Sequence, residues 1–126
     1  MTFRSLTLPL AMALCLPAAL AAAAPTMTAA SGKGEILTDD AGMTLYVFDK
    51  DANGRSACNG ECATKWPPLA ASADDKPTGD YAIIARDDGT LQWSYKGKPL
   101  YAWFKDAKPG DLTGDGVNGV WHLARP

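Results

Sequence analysis

From residue 35 onward the chain alternates short apolar and aromatic runs with clusters of Asp, Gly and Lys. Runs of this kind, bounded by turn residues, are typical of β-strands. The long stretch 49–80 is irregular and offers one candidate helical turn, 61–65, which ends before the prolines at 67 and 68. The pattern predicts a mainly β protein, a small antiparallel sheet or barrel-like domain with little helix. The predicted strands are 35–38, 43–48, 81–86, 90–95, 99–104 and 120–124.

An internal repeat organises this pattern. The segments starting at Leu45 and at Leu100 both read Leu-Tyr-x-aromatic, with an aspartate three residues further on, and they lie 55 residues apart. Because alternate residues of a strand share a face, Tyr46 and Phe48 are expected to point away from Leu45 and Val47. Both faces of each strand then carry apolar side chains, so we expect both strands to be central. A duplicated β unit with pseudo-twofold symmetry is the simplest explanation.

The first residues have the pattern of a secretory signal peptide. Arg4 supplies the positive charge, the run 6–20 is mostly apolar, and three alanines follow, which favours cleavage after Ala23. The apolar run is shorter than the ~20 residues that a membrane span needs. We therefore expect residues 1–23 to be removed on export, to the periplasm or beyond the cell. Cys15 lies in the middle of the apolar run, so a lipid anchor is not expected.

The rest of the chain has room for one domain. Residues 24–34 are small and polar, which predicts a flexible tether, and residues 35–126 then form a single β domain. The net charge of the 126-residue chain is −2, which argues against nucleic acid as a partner. No transmembrane segment is expected after removal of the leader. With one histidine and no nucleophile elbow or phosphate loop, nothing points to catalysis.

Two copies of a Tyr-x-aromatic-x-x-Asp motif occur together with a Cys-x3-Cys segment and a Trp-Pro-Pro block within 58–69. In these features the chain resembles a bacterial secreted-repeat or predicted-lipoprotein family, which is described by its Yx(F/W/Y)xxD motif. The resemblance runs from about Met43 to the C-terminus. It implies export and a β-rich fold, and it implies no established activity. The motif residues are Tyr46, Phe48 and Asp51 in the first copy and Tyr101, Trp103 and Asp106 in the second.

Cys58 and Cys62 are the cysteines that remain once the leader is removed. In an oxidising compartment we expect them to form a disulfide. The closed loop is small, so the bond should stabilise the fold by only about 2 kcal/mol. The alternative is a soft-metal or thiol-redox site, because two thiolates and the single histidine, His122, would suit Cu(I).

Two acidic loops contain the first half of a calcium-binding pattern. The oxygen ligands would be Asp49, Asp51 and Asn53 in the first loop, and Asp111 and Asp115 in the second. Both loops lack the closing glutamate at its expected position. Asp, Asn and Gly are also the residues that tight turns require, so we interpret both loops as turns and keep calcium as an alternative.

Ten aromatic residues lie outside the leader, and we interpret them as core, because a domain this small needs their buried area. In the alternative interpretation, Trp93 and Trp103 lie on neighbouring strands and line one groove that binds a sugar, a peptide or a flat cofactor. We expect Asp51 and Asp106 to close the turn after their strands by accepting backbone N–H bonds. Tyrosine hydroxyls are candidate further partners of these carboxylates.

These features together predict an exported, non-enzymatic binding or structural module of the bacterial cell envelope. No cofactor is expected, and the partner is an unidentified envelope ligand or protein. One alternative is a copper-handling or thiol-redox protein that uses Cys58, Cys62 and His122. Another is a calcium-stabilised envelope module. Unreactive, oxidised thiols favour the first hypothesis, Cu(I) binding that is lost in Cys62→Ser favours the second, and destabilisation by a chelator favours the third.

Overall fold

Strands and short turns make up most of the chain that the computed structural model describes, which is residue 2 and residues 24–126. Except for residue 2, the predicted signal peptide, including Cys15, lies outside the described residues. In chain order the elements are β1 (Met27–Ser31), β2 (Gly34–Thr38), β3 (Tyr46–Phe48), α1 (Glu61–Lys65), β4 (Ala70–Ala71), β5 (Tyr81–Ala85), β6 (Leu91–Tyr95), β7 (Lys98–Pro99), a 3-10 turn (Val117–Gly119) and β8 (Trp121–Leu123).

All strand pairing is antiparallel and falls into three small sheets. β1 and β2 form a hairpin, and β3 pairs with β8 so that Val47 lies opposite His122. In the third sheet β6 pairs with β4 and β5, and β7 adds to β6. The prediction of small antiparallel sheets with little helix is confirmed. The barrel-like alternative is wrong, because within the described part of the chain the sheets do not close on themselves.

The two repeats interlock around a pseudo-twofold axis. At its centre Tyr46 and Tyr101 exchange both backbone hydrogen bonds, at 2.7 and 3.0 Å. On one side, β3 of the first repeat pairs with β8 of the second. On the other side, the second motif lies beside the first repeat, where the Phe104 N–H donates to the Lys65 carbonyl at 2.9 Å. Each repeat therefore pairs with the backbone of the other, and two of the three sheets, all but the β1–β2 hairpin, contain strands of both repeats.

Two apolar clusters cover opposite faces of the motif strands. Tyr46, Tyr101 and Trp103 are buried in the larger cluster, and Leu45 and Leu100 are buried in the smaller one. This separation is the alternation that the sequence predicts. Each face is therefore covered by apolar side chains. Pairing on both edges, expected for two central strands, is found only at the motif tyrosines: Tyr46 pairs with Leu123 and Tyr101, and Tyr101 pairs with Tyr46 and Pro68.

β1 departs from the expected organisation. The structure pairs Met27–Ser31 with β2, inside the stretch 24–34 for which the composition predicts a tether. Apart from Met27 the side chains of β1 are small, and none of the five is buried, so they give no alternation of polarity that indicates a strand. Backbone hydrogen bonds to β2 hold the strand in place, and β2 is itself anchored by the buried Ile36 and Leu37.

The other elements lie near their predicted positions. The helical turn α1 has the predicted bounds, and Trp66 caps it just before the prolines. The strand predicted at 99–104 is regular only over Lys98–Pro99, because Tyr101 forms isolated bridges to the first repeat instead of a continuous ladder. In the part of the chain that the structure describes, no helix has the length and apolar character to cross a membrane.

Candidate functional site

Four aromatic rings form a row through the larger core, which we call the central aromatic stack: Phe48, Trp121, Trp66 and Trp103. Along this row the ring centroids are 4.1, 3.7 and 3.9 Å apart, and the planes of the two middle tryptophans differ by 3°. Trp66 and Trp121 are separated by 55 residues, the same offset as the two motifs. Aromatic pairs contribute about 0.5–1.5 kcal/mol beyond the area that they bury, so the stack joins the repeats strongly.

The tyrosine of each motif bonds to the aspartate of the other motif. The Tyr46 hydroxyl donates to Asp106 Oδ2 at 2.6 Å, and the Tyr101 hydroxyl donates to Asp51 Oδ2 at 2.6 Å. The sequence predicts tyrosine hydroxyls as partners of these carboxylates. It does not indicate that the partners are exchanged between repeats, because that exchange depends on the interlocked topology.

The second oxygen of each motif aspartate accepts backbone N–H bonds. Asp51 Oδ1 accepts from the Ala57 N–H at 2.7 Å, and Asp106 Oδ1 accepts from the Thr113 N–H at 3.0 Å. The Thr113 hydroxyl adds a bond to the same oxygen at 2.6 Å. The prediction that these aspartates accept from the backbone is confirmed. The bonds fix the loop that leaves each motif strand.

Burial and the carboxylate partners change the acidity of these groups. Burial, and after it the hydrogen bond to Asp106, raises the pKa of Tyr46 well above its usual value. The pKa of Tyr101 is raised by burial and by the bond to Asp51. Burial also raises the pKa of Asp51, while the Ala57 N–H and the Tyr101 hydroxyl counteract it in part. Both phenols therefore stay protonated and act as hydrogen-bond donors at neutral pH.

Arg86 is a buried cation that the sequence interpretation missed. It is only 5% exposed, and its guanidinium donates to Gln92 Oε1 at 2.7 Å and to Ser56 Oγ at 3.0 Å. A further bond, 2.5 Å long, reaches the Cys58 carbonyl. Its charge also lowers the pKa of Asp51 and so opposes the effect of burial there. In the sequence Arg86 is the last residue of a predicted strand. Such a position can be exposed or buried, so the sequence does not indicate that Arg86 is buried.

The disulfide joins Cys58 to Cys62, as predicted, with a Cα–Cα distance of 5.3 Å. Cys58 is fully buried in the larger core, and Cys62 packs against it while partly exposed. His122, the third residue of the copper hypothesis, lies elsewhere on the surface with Nε2 2.7 Å from Asp49 Oδ2. Among the described residues, no group of three or more His, Cys, Asp or Glu side chains is arranged to hold a metal ion.

The carboxylates of the calcium hypothesis have partners within the protein. Asp49 faces His122, while Asp111 Oδ2 accepts the Ala107 N–H at 2.8 Å, as an aspartate in a turn does. Asp115 bonds to Lys33 at 2.9 Å, and this bond lowers the pKa of Asp115.

The two tryptophans that share a groove in the alternative interpretation pack into different aromatic groups. Trp103 is part of the central aromatic stack, 3.9 Å from Trp66 between ring centroids. Trp93 instead meets Tyr81 edge-on at 6.4 Å. Both indoles are less than a tenth exposed, which agrees with the interpretation of the aromatic residues as core. Phe104 is the exception, because its ring is 52% exposed.

A cleft of about 270 Å³, which we call the basic cleft, opens on the side of the motif strands that faces away from the central aromatic stack. Val47 and Ala124 supply apolar side chains to its lining, and both belong to or pack against the smaller core. Tyr95 forms part of one wall. The cleft is thus built from β3, β6, β7 and β8, strands contributed by both repeats.

Cations dominate the charged lining of the basic cleft. Lys96, Lys98 and Arg125 line it, and Asp49 is the one acidic residue among the lining groups, where it is paired with His122. The structure therefore brings His122 into this cleft and away from the cysteines. The sequence gives no sign of the cleft, because its basic residues come from a tight turn and from the C-terminus.

Comparison with known proteins relates both halves of the chain to a family. A family model described as a secreted repeat of unknown function matches residues 27–70 and again residues 82–125. The two matched segments are the two interlocked halves of the fold, and the first begins at β1. No curated protein and no solved structure matches the chain.

Proposed function

The chain belongs to the family of secreted repeats of unknown function, and we propose that it is an exported, non-enzymatic binding module of the bacterial cell envelope. The family description supports a location outside the cytoplasm. The resemblance noted in the sequence supports the bacterial envelope as the place of action.

The basic cleft carries this proposal. The hydroxyl and carboxyl groups of both motifs bond to one another inside the core, so the motifs serve to join the repeats. Cys58 and Cys62 are likewise bonded to each other. The cleft combines an apolar lining with a few polar groups at one place, which is the usual composition of a binding site for a small molecule.

Equilibrium dialysis tests the proposal. The oxidised protein is dialysed against a small-molecule extract of the bacterial envelope, and retained compounds are identified by mass spectrometry. Lys98→Glu changes the charge of the cleft, and Lys76→Glu is the matched control, because Lys76 is exposed and does not line the cleft. A binding module is supported by compounds that the wild type and the control retain, that the cleft variant does not retain, and that are recovered unchanged. No retained compound, or conversion of a retained compound, contradicts it.

A second candidate function is thiol–disulfide exchange at Cys62. This sulfur belongs to a partly exposed residue at a second cleft, lined also by Trp66, Trp121, Lys50 and Lys65. An incoming thiolate would attack Cys62, forming a mixed disulfide there, while the original S–S bond breaks and Cys58 leaves as the thiolate.

Incubation with reduced glutathione, acid quenching and intact-mass measurement test this second candidate. A protein that carries one glutathione, with the adduct mapped to Cys62, supports exchange. A chain that stays oxidised and unmodified contradicts it.

A further inference from the structure

We infer that the basic cleft binds a small organic carboxylate with an apolar body, either a single aromatic ring or a short acyl chain. The inference rests on the proposed function and specifies the ligand class of the same site. The carboxylate lies at the cationic rim, and the apolar body lies against Val47, Ala124 and Tyr95.

The lining accounts for the apolar half of the ligand. Ala124 is 2% exposed, so it is held rigidly by the smaller core beneath it. Val47 packs against the smaller core, as does Tyr95, whose ring stands at the wall. A preformed apolar surface releases water when an apolar group covers it, and it costs little reorganisation. A fully hydrated anion without an apolar part would leave this surface unused.

The rim accounts for the charge. Within the described residues Lys96, Lys98 and Arg125 take part in no ion pair, although the whole chain has a net charge of −2. Lys96 lies 5.1 Å from the centroid of the Tyr95 ring, a cation–π contact that keeps its ammonium group at the wall. Three cations on an acidic protein create a local positive potential that favours an anion at this place.

Arg125 gives the rim its preference for a planar anion. Its Nη1 donates to the Glu35 carbonyl at 3.2 Å, which fixes the guanidinium beside the cleft. A guanidinium has five donors in a rigid fork and pairs with a carboxylate through two parallel hydrogen bonds. Phosphate fits the same fork, but the apolar lining distinguishes a carboxylate with an apolar body from inorganic phosphate.

The volume limits the size of the ligand. At about 270 Å³ the cleft is slightly smaller than the pockets of roughly 300–1,000 Å³ that hold drug-sized ligands. One ring or a chain of a few methylenes fits this space. Longer lipids and polysaccharide chains would extend beyond it.

His122 provides a built-in reporter. It is the only histidine of the chain, and it lines the cleft. Its ring proton signals in an NMR spectrum therefore need no assignment by mutation. Asp49, at 2.7 Å from the ring, is the acidic neighbour that opposes an incoming anion.

The test is an NMR titration of the intact, oxidised protein with benzoate, benzamide and inorganic phosphate, followed at His122. Benzamide keeps the ring and the planar group of benzoate but carries no charge. We expect saturable shifts with benzoate, and at least about tenfold weaker binding of benzamide and of phosphate, since each lacks one half of the recognised chemistry. Added salt should weaken the binding of benzoate, because it screens the exposed rim.

Three substitutions locate the site. Lys98→Gln should weaken benzoate binding roughly three- to tenfold, and the matched Lys76→Gln should leave it unchanged, because an exposed charge acts only on a neighbouring ligand. Asp49→Asn should strengthen binding severalfold by removing the repelling carboxylate.

Several outcomes would overturn the inference. Equal binding of benzamide and benzoate would remove the role of charge, and equal binding of phosphate and benzoate would remove the role of the apolar lining. The inference would also be overturned if Lys98→Gln and Lys76→Gln changed the affinity for benzoate equally, or if benzoate shifted no His122 signal. If the dialysis experiment still retains a neutral or cationic compound that depends on Lys98, the binding module stands and only the ligand class is wrong.

Discussion

Replacing the Tyr46 hydroxyl tests the exchanged pairing of the two motifs most directly. In Tyr46→Phe the ring stays in the core, and two buried interactions disappear: the bond donated to Asp106 at 2.6 Å and the bond accepted from the Gly114 N–H at 3.2 Å. A hydrogen bond to a charged group contributes about 1.5–3 kcal/mol, and a buried partner left without a bond adds to the loss. We therefore expect the free energy of unfolding to fall by about 2–3 kcal/mol.

This magnitude is large for a small domain, whose total stability is typically about 5–15 kcal/mol. For a domain of this size it corresponds to a decrease in melting temperature of roughly 10–20 °C. The assay is equilibrium unfolding in urea at neutral pH, with the disulfide intact, followed by tryptophan fluorescence. The four tryptophans of the chain make this signal strong, and the central aromatic stack makes it sensitive to separation of the repeats.

A pair of double-mutant cycles distinguishes the exchanged pairing from a link within one motif. Combining Tyr46→Phe with Asp106→Asn should give a coupling energy of about 1–3 kcal/mol, because the two residues share a bond. Combining Tyr46→Phe with Asp51→Asn should give less than about 0.5 kcal/mol, because these two do not. Tyr101 with Asp51 forms the symmetric cycle, and it should also be coupled.

The reverse result would refute the reasoning. Strong coupling within one motif, or no coupling in either exchanged pair, would mean that each repeat closes on itself. The interlocked fold would then be wrong at its centre.

Other expected outcomes concern packing, the disulfide, the buried cation and alkaline pH. Gly114→Ala places a methyl group 2.9 Å from a tryptophan ring atom and should cost at least about 1–3 kcal/mol by calorimetry, whereas Gly32→Ala, with no atom within 4 Å, should be nearly neutral. Reduction of the Cys58–Cys62 bond should lower the stability by about 2 kcal/mol, and an unchanged melting temperature would contradict its role. Arg86→Met should cost about 1–3 kcal/mol in urea unfolding, because it leaves buried acceptor oxygens without their donor, and an unchanged free energy of unfolding would contradict this. Folding raises the pKa of both motif tyrosines, so their contribution to the free energy of unfolding is complete below the unfolded phenol pKa of 10.0 and is lost as the pH rises above it. At least two phenols should therefore ionise only when the protein unfolds, which absorbance near 295 nm detects.

Local signals in the sequence correctly located most strands and the helical turn. The alternation around Tyr46 and Leu45 separates the two cores, and the prolines after Trp66 end α1, because both effects act over a few residues. β1 was missed for the same reason. It is held by backbone bonds to β2, and its own side chains carry little pattern.

Chemistry that depends on distant residues was only partly predictable. The disulfide was correct, because a short spacing brings the two sulfurs together in many conformations. For Trp93 and Trp103 the core interpretation holds and the alternative of a shared groove does not, because one indole turns toward Tyr81 and the other toward Trp66. Burial of Arg86 could not be predicted, since it depends on oxygen atoms supplied by segments 28 to 30 residues earlier in the chain and by a neighbouring strand.

By itself, the sequence determined that the protein is a duplicated β domain whose two motifs place aromatic residues on one face and aliphatic residues on the other. Period-two alternation and turn residues are properties of neighbouring positions, so they can be recognised along the chain. Only the tertiary structure decided that each tyrosine bonds to the aspartate of the other repeat, and that His122 joins Lys96, Lys98 and Arg125 in a cleft. Those contacts connect residues far apart in the chain, and they exist because the two repeats complete one another's sheets.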